Sequence, residues 1–175
     1  MKERRYRKNF RVVPGEGGGK RRVEYVGEYF RYLAGGPSSR DRARFPAASA
    51  GAYWIASLAY LRTARATSRC LYAAVPMMIG LLPGVYLVLG LASMLGAPER
   101  LTIVQKENGP GRLTRAALGC GIFSAIGAAG CAVYLSIHGL WAPAWHEPLL
   151  AAIAAAAAWA AFARARESYR ALEKA

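Results

Sequence analysis

The chain has 175 residues, enough for one compact unit, is 54% hydrophobic and carries a formal net charge of +14. No Asp, Glu, Lys or Arg interrupts four apolar stretches, 46–61, 70–95, 116–137 and 148–163, which is not the pattern of a water-soluble globule. Cys70, Cys120 and Cys131 lie in or at the edge of these stretches without a Cys-x-x-Cys pair, so they read as small packing residues and exclude a disulfide framework.

The first 45 residues form a basic arm, with 13 Lys and Arg against five acids. The first apolar run begins only behind this arm, so no cleavable signal peptide is expected. Phe10–Val13 and residues 22–26 are β-prone, and Pro14-Gly15-Glu16-Gly17-Gly18-Gly19-Lys20 between them is a turn signal, so a β-hairpin is expected. The three glycines are not followed by Gly-Lys-Ser/Thr and a helix, which excludes a phosphate-binding loop. Tyr29, Phe30 and Tyr32 beside Arg31 suit either an anchor at headgroup level or packing on the hairpin. After Gly35-Gly36-Pro37, Ser38 or Ser39 can cap a helix that has Asp41 in its first turn.

Span 46–61 has 16 residues, about 24 Å at helical rise and short of the ~30 Å hydrocarbon core. Snorkelling by Arg44 and Arg62 would extend it, and an interfacial segment is the alternative. Span 70–95 is long enough to tilt or kink, and Pro76 and Pro83 each remove a helix donor. Span 116–137 crosses comfortably. Span 148–163 opens on Pro148, a favoured first-turn residue, and its tail 164–175 reads as a continuation of the same helix.

Orientation follows from Lys and Arg beside the spans. Four crossings with the arm in the cytoplasm place 21 of these residues inside and three outside. The three are Arg62, Arg65 and Arg69, and the topology rule leaves them unexplained. The expected fold is therefore an all-α membrane protein: a bundle of four transmembrane helices over 46–163, a basic cytoplasmic arm over 1–45, and a cytoplasmic helical tail over 164–175. The Ala-, Arg- and Gly-rich composition suggests a bacterial cytoplasmic membrane, with both termini inside.

Ionisable residues at membrane depth mark transporters and proton relays, and the four spans have none. Gly80-x-x-x-Gly84 reads as a close-approach surface for a neighbouring helix, with a substrate site between broken helices as the alternative. Cys120, Ser124 and Ala128, with Gly127 and Cys131 alongside, form a small-residue face on the third span. Ten of the 13 residues from 151 to 163 are Ala, so the third and fourth spans are expected to pack tightly. His138, His146 and Glu147 match no metal-ligand spacing and read as a solvated loop with Trp141 and Trp145 at headgroup level. No catalytic residue, metal site or cofactor is assigned.

The expected partners are the bilayer, anionic lipid headgroups, and either other membrane subunits or further copies of this chain. Arg4, Arg5, Arg7, Lys8, Arg11, Lys20, Arg21 and Arg22 are the candidate lipid contacts, each adding about 1 kcal/mol near an anionic surface. Tyr6, Phe10 and Tyr25 among them could stack on nucleic-acid bases, but membrane tethering already accounts for the charge. The functional expectation is a non-enzymatic accessory or assembly subunit that binds other membrane helices through small-residue faces. An oligomeric channel or transporter subunit is the alternative, and a membrane-embedded enzyme is the more distant one.

Overall fold

A computed structural model describes residues 9–13, 22–32, 39–98 and 100–174. Strands β1 (Phe10–Val13) and β2 (Arg22–Tyr25) pair antiparallel, with Phe10 opposite Tyr25 and Val13 opposite Arg22. Their aromatic rings meet edge to face at 5.2 Å. The turn signal between them lies outside the described residues.

Strand β3 (Tyr29–Tyr32) is followed by helix α1 (Ser39–Thr63), helix α2 (Leu71–Leu95), strand β4 (Leu101–Thr102), the long helix α3 (Ile103–His138), helix α4 (His146–Arg170) and strand β5 (Leu172–Lys174). The three helices α2, α3 and α4 are long and apolar enough to cross a membrane. Helix α1 is as long as α2, but its sequence carries Arg40, Asp41, Arg42 and Arg44 in its first turns, and its apolar part is short. It starts at Ser39, well ahead of the apolar run, and passes through the buried Pro46.

The helices stand side by side in the cyclic order α1, α2, α3, α4, each antiparallel to the next. One end of the bundle holds the α1–α2 and α3–α4 links. The other end holds a three-stranded antiparallel sheet with β3 in the middle, β4 on one side and β5 on the other. Phe30, Leu101 and Leu172 are buried together beneath it, and the Lys106 ammonium lies 3.9 Å from the Phe30 ring centre.

One expectation is corrected here. The tail is not helical throughout: α4 stops at Arg170, and residues 172–174 are a strand. Pairing with β3 and burial of Leu172 together outweigh the helix preference of Leu, Glu and Lys. Between the second and third apolar runs, helix resumes at Ile103. Thr102 and Gln105 form a capping box there, with the Gln105 N–H donating to Thr102 Oγ1 and the Thr102 N–H donating to Gln105 Oε1. A widened turn at Glu107–Gly111 carries the helix past Pro110, which has no N–H to donate.

The core is built from small residues. Ala43, Ala50, Ala117, Ala154, Ala158, Ala161 and Ala165 pack with Tyr53, Leu87, Met94 and Leu113 toward the sheet end. Tyr60, Cys70, Ala73, Met77, Cys131 and Ala151 form a second cluster toward the loop end. Larger apolar side chains such as Leu71, Leu82, Ile55, Ile126 and Ile153 point outward from the helices. This is the reverse of a soluble bundle, where the large apolar groups turn inward.

Candidate functional site

The polar residues of the bundle collect at three levels. At the loop end, Glu147 in the first turn of α4 is only 1% exposed. Its carboxylate reaches across to the α1–α2 link. The backbone N–H groups of Arg65 and Ala66 donate to Oε1 at 2.9 and 3.0 Å, and the Thr67 N–H and hydroxyl donate to Oε2 at 2.9 and 2.6 Å. Three consecutive amides aimed at one carboxylate make a backbone nest filled by the chain's own side chain.

Since the Thr67 hydroxyl gives its proton to Glu147, its oxygen accepts from the Tyr60 hydroxyl at 3.0 Å. The Tyr60 oxygen lies 3.4 Å from Cys131 Sγ, whose S–H completes the series. One directed run of hydrogen bonds thus links α3, α1, the α1–α2 link and α4. The expectation of a solvated Glu147 is corrected: the short link from Thr63 to Leu71 folds its amides over the α4 start, and burial of the acid follows from that coverage. Among the described residues, no three His, Cys, Asp or Glu are grouped to hold a metal. The His138 Nδ1–H donates to the Tyr134 carbonyl at 2.9 Å, and the two rings stack at 4.2 Å.

At mid-bundle the Tyr53 hydroxyl donates to the Gly80 carbonyl at 2.7 Å, and Cys120 Sγ stands 3.8 Å from the same oxygen. Gly80 and Gly84 therefore form a notch that receives α1. A Cβ on Gly84 would lie 3.0 Å from the Trp54 ring and 3.1 Å from Tyr53, and one on Gly80 would lie 3.4 Å from the Tyr53 hydroxyl. Ser124 is 1% exposed, and Ala128 packs on the cluster that contains Cys131. A Cβ on Gly127 would lie 2.6 Å from the Met77 side chain. The seven small residues singled out in the sequence thus face neighbouring helices of the same chain.

Other glycines bring α2 and α3 into backbone contact. A Cβ on Gly130 would lie 2.7 Å from the Tyr72 carbonyl oxygen, which has no helix donor because residue 76 is proline. A Cβ on Gly90 would lie 2.9 Å from the Leu113 nitrogen. A Cβ on Gly119 would lie 3.2 Å from the ring of Pro83, the second helix breaker, and one on Gly121 would lie 3.2 Å from the Trp159 indole.

At the sheet end, Glu107 in the widened turn pairs with Arg115 at 3.1 Å and accepts from the Tyr169 hydroxyl at 3.2 Å, tying α3 to the end of α4. Of the candidate lipid contacts, the Arg11 side chain is exposed. Arg22 is placed in β2 by its backbone, and Arg4, Arg5, Arg7, Lys8, Lys20 and Arg21 lie outside the described residues.

An open cleft of about 610 Å³ lies at the loop end beside Glu147. Arg62, Thr63, Arg65 and Ala66 form one wall, and Leu140, Pro143, Ala144 and His146 the other. A smaller cleft of about 360 Å³ at the opposite end is bounded by Pro83, Tyr86, Asn108, Arg112 and Arg115. There Arg112 donates to Asn108 at 3.1 Å, and Arg115 is held by Glu107.

Sequence reasoning missed Tyr53, Tyr60, Thr67 and Glu147. A signal for the tyrosines existed: Ala43, Pro46, Ala50, Tyr53, Ser57 and Tyr60 recur at steps of three and four, marking the inward stripe of α1. Comparison with family models, with curated proteins and with solved structures returns no match, so the functional reading rests on the residues of this chain.

Proposed function

We propose that the protein is a multi-pass component of a bacterial cytoplasmic membrane, crossing it with all four helices and keeping the sheet end in the cytoplasm. The positive-inside count supports that orientation, because four crossings assign 21 of the 24 Lys and Arg in the sequence to the cytoplasmic side. The basic arm then lies where anionic headgroups attract it.

Within the membrane its role is that of a non-enzymatic accessory or assembly subunit. The observation that carries this reading is how the deep polar groups are engaged. Glu147, Thr67, Tyr60 and Tyr53 hold helix to helix, and α2 and α3 touch backbone to backbone at Gly90 and Gly130. Such a bundle is a scaffold rather than a reaction chamber. The small-residue faces are occupied inside the chain, so partner helices would meet the large apolar side chains that point outward, and the outer face of α2, where Leu71, Met78, Leu82, Val85 and Tyr86 stand exposed, is the surface chosen for test.

Affinity purification of the full chain from native membranes, under mild detergent, tests this. A reproducible stoichiometric membrane partner is expected, and Leu82→Ala together with Tyr86→Ala reduces its recovery while the bundle stays folded. A partner-free single-chain particle opposes the reading. So does solute or ion flux in proteoliposomes that Pro83→Ala or Gly84→Leu abolishes, which would mark a transport subunit.

A further inference from the structure

Arg62, Arg65 and Arg69 occupy the end of the bundle opposite the basic arm, where the positive-inside rule disfavours cations. Two of them, Arg62 and Arg65, face one cleft. Among the described residues neither makes an ion pair, and the one carboxylate in the cleft wall, Glu147, is taken up by four donors from residues 65–67. The lining holds two guanidinium charges against that single engaged acid. Fixing the amides of residues 65–67 to Glu147 also fixes the backbone from which the Arg65 side chain extends.

We propose that this cleft binds a phosphate-bearing anion between Arg62 and Arg65, with His146 contributing a further polar group from the facing wall. Guanidinium groups match phosphate oxygens with paired N–H donors, which makes arginine the residue suited to this task. A volume of about 610 Å³ admits a phosphate with a glycerol-sized substituent and lies in the usual range of small-ligand sites. Leu61 and Trp145, next in sequence to the lining residues Arg62 and His146, are exposed apolar side chains of the kind acyl chains cover. The chemistry is shared by a phospholipid headgroup and a free phosphate-type anion, and it does not depend on the accessory role proposed above.

The test uses the full chain in detergent, titrated separately with inorganic phosphate, short-chain phosphatidylglycerol and diacylglycerol of the same chain length. Binding is read by native mass spectrometry and by the thermal unfolding midpoint. Phosphatidylglycerol is expected to bind and diacylglycerol is not. The R62Q/R65Q variant weakens binding about tenfold or more, whereas R69Q, outside the lining, leaves it unchanged. A matching arginine-dependent response to inorganic phosphate assigns the site to a free anion, and a response to the lipid alone assigns it to a headgroup. All three arginines are exposed. Should the double variant unfold, R62Q and R65Q are read singly, each with a partial loss. Unchanged binding in the cleft variants, equal loss in R69Q, or no response of the native chain to either phosphate probe overturns the proposal.

Discussion

Replacing Glu147 by alanine removes the acceptor for four hydrogen bonds at a site that is 1% exposed. The Arg65 and Ala66 amides border the open cleft, where water can replace the lost oxygen. The Thr67 amide is buried, and a buried donor left without a partner costs about 1–3 kcal/mol. The Thr67 hydroxyl recovers part of its loss by turning its proton toward Tyr60, at the expense of the Tyr60 bond. The expected destabilisation is about 2–4 kcal/mol. Glu147→Gln keeps the shape but turns an NH₂ group toward one pair of donors, and should cost roughly half as much. The assay is reversible unfolding in mixed micelles, followed by helical circular dichroism. A double-mutant cycle with Thr67→Val isolates the pair and should give a coupling of about 0.5–3 kcal/mol. A loss within about 0.5 kcal/mol for Glu147→Ala, the range of ordinary surface changes, would refute the idea that this carboxylate fastens the loop end.

Other substitutions probe the helix contacts. Gly130→Ala should destabilise the bundle by about 1–3 kcal/mol, because the new methyl meets a backbone carbonyl, whereas Gly127→Ala should cost less, because the flexible Met77 side chain can move aside. Comparing their unfolding midpoints checks the order. Tyr53→Phe should cost about 1 kcal/mol through loss of the bond to the Gly80 carbonyl, measured in the same micelles. The three native thiols are buried, so a membrane-impermeant maleimide should leave the intact protein unlabelled. Cysteines introduced at Ser68 and His138 should then react from outside the cell, and one at Arg100 only after the membrane is opened. The opposite pattern would invert the proposed orientation.

The apolar runs announced three of the helices because the bilayer demands long uncharged segments, and composition records that directly. The antiparallel pairing of residues 10–13 with 22–25 was legible for a similar reason, since two β-prone runs flank a glycine-rich turn signal in the sequence. Less visible was anything that depends on distant residues meeting. Leu172–Lys174 reads as helix because its local preference is helical, and only β3, far away in sequence, makes it a strand. Gly109-Pro110-Gly111 is made of residue types that oppose helix, yet capping at Thr102 and a widened turn keep the chain helical there. Glu147 looked solvated because it stands between two exposed tryptophan-bearing turns and the start of a helix. Its burial depends on three amides about eighty residues earlier. The cleft was legible only as a misfit, three arginines on the disfavoured side, since the facing wall comes from another part of the chain.

The small sheet also sets an order of events during synthesis. Strand β3 emerges from the ribosome before any of the helices, and β4 can join it once α2 has been made. Its second edge stays open until Leu172–Lys174 appears, after the last helix. Strand β3 is therefore unpaired until β4 is made and half paired until α4 is complete, and closing its second edge joins segments that flank the four helices in sequence.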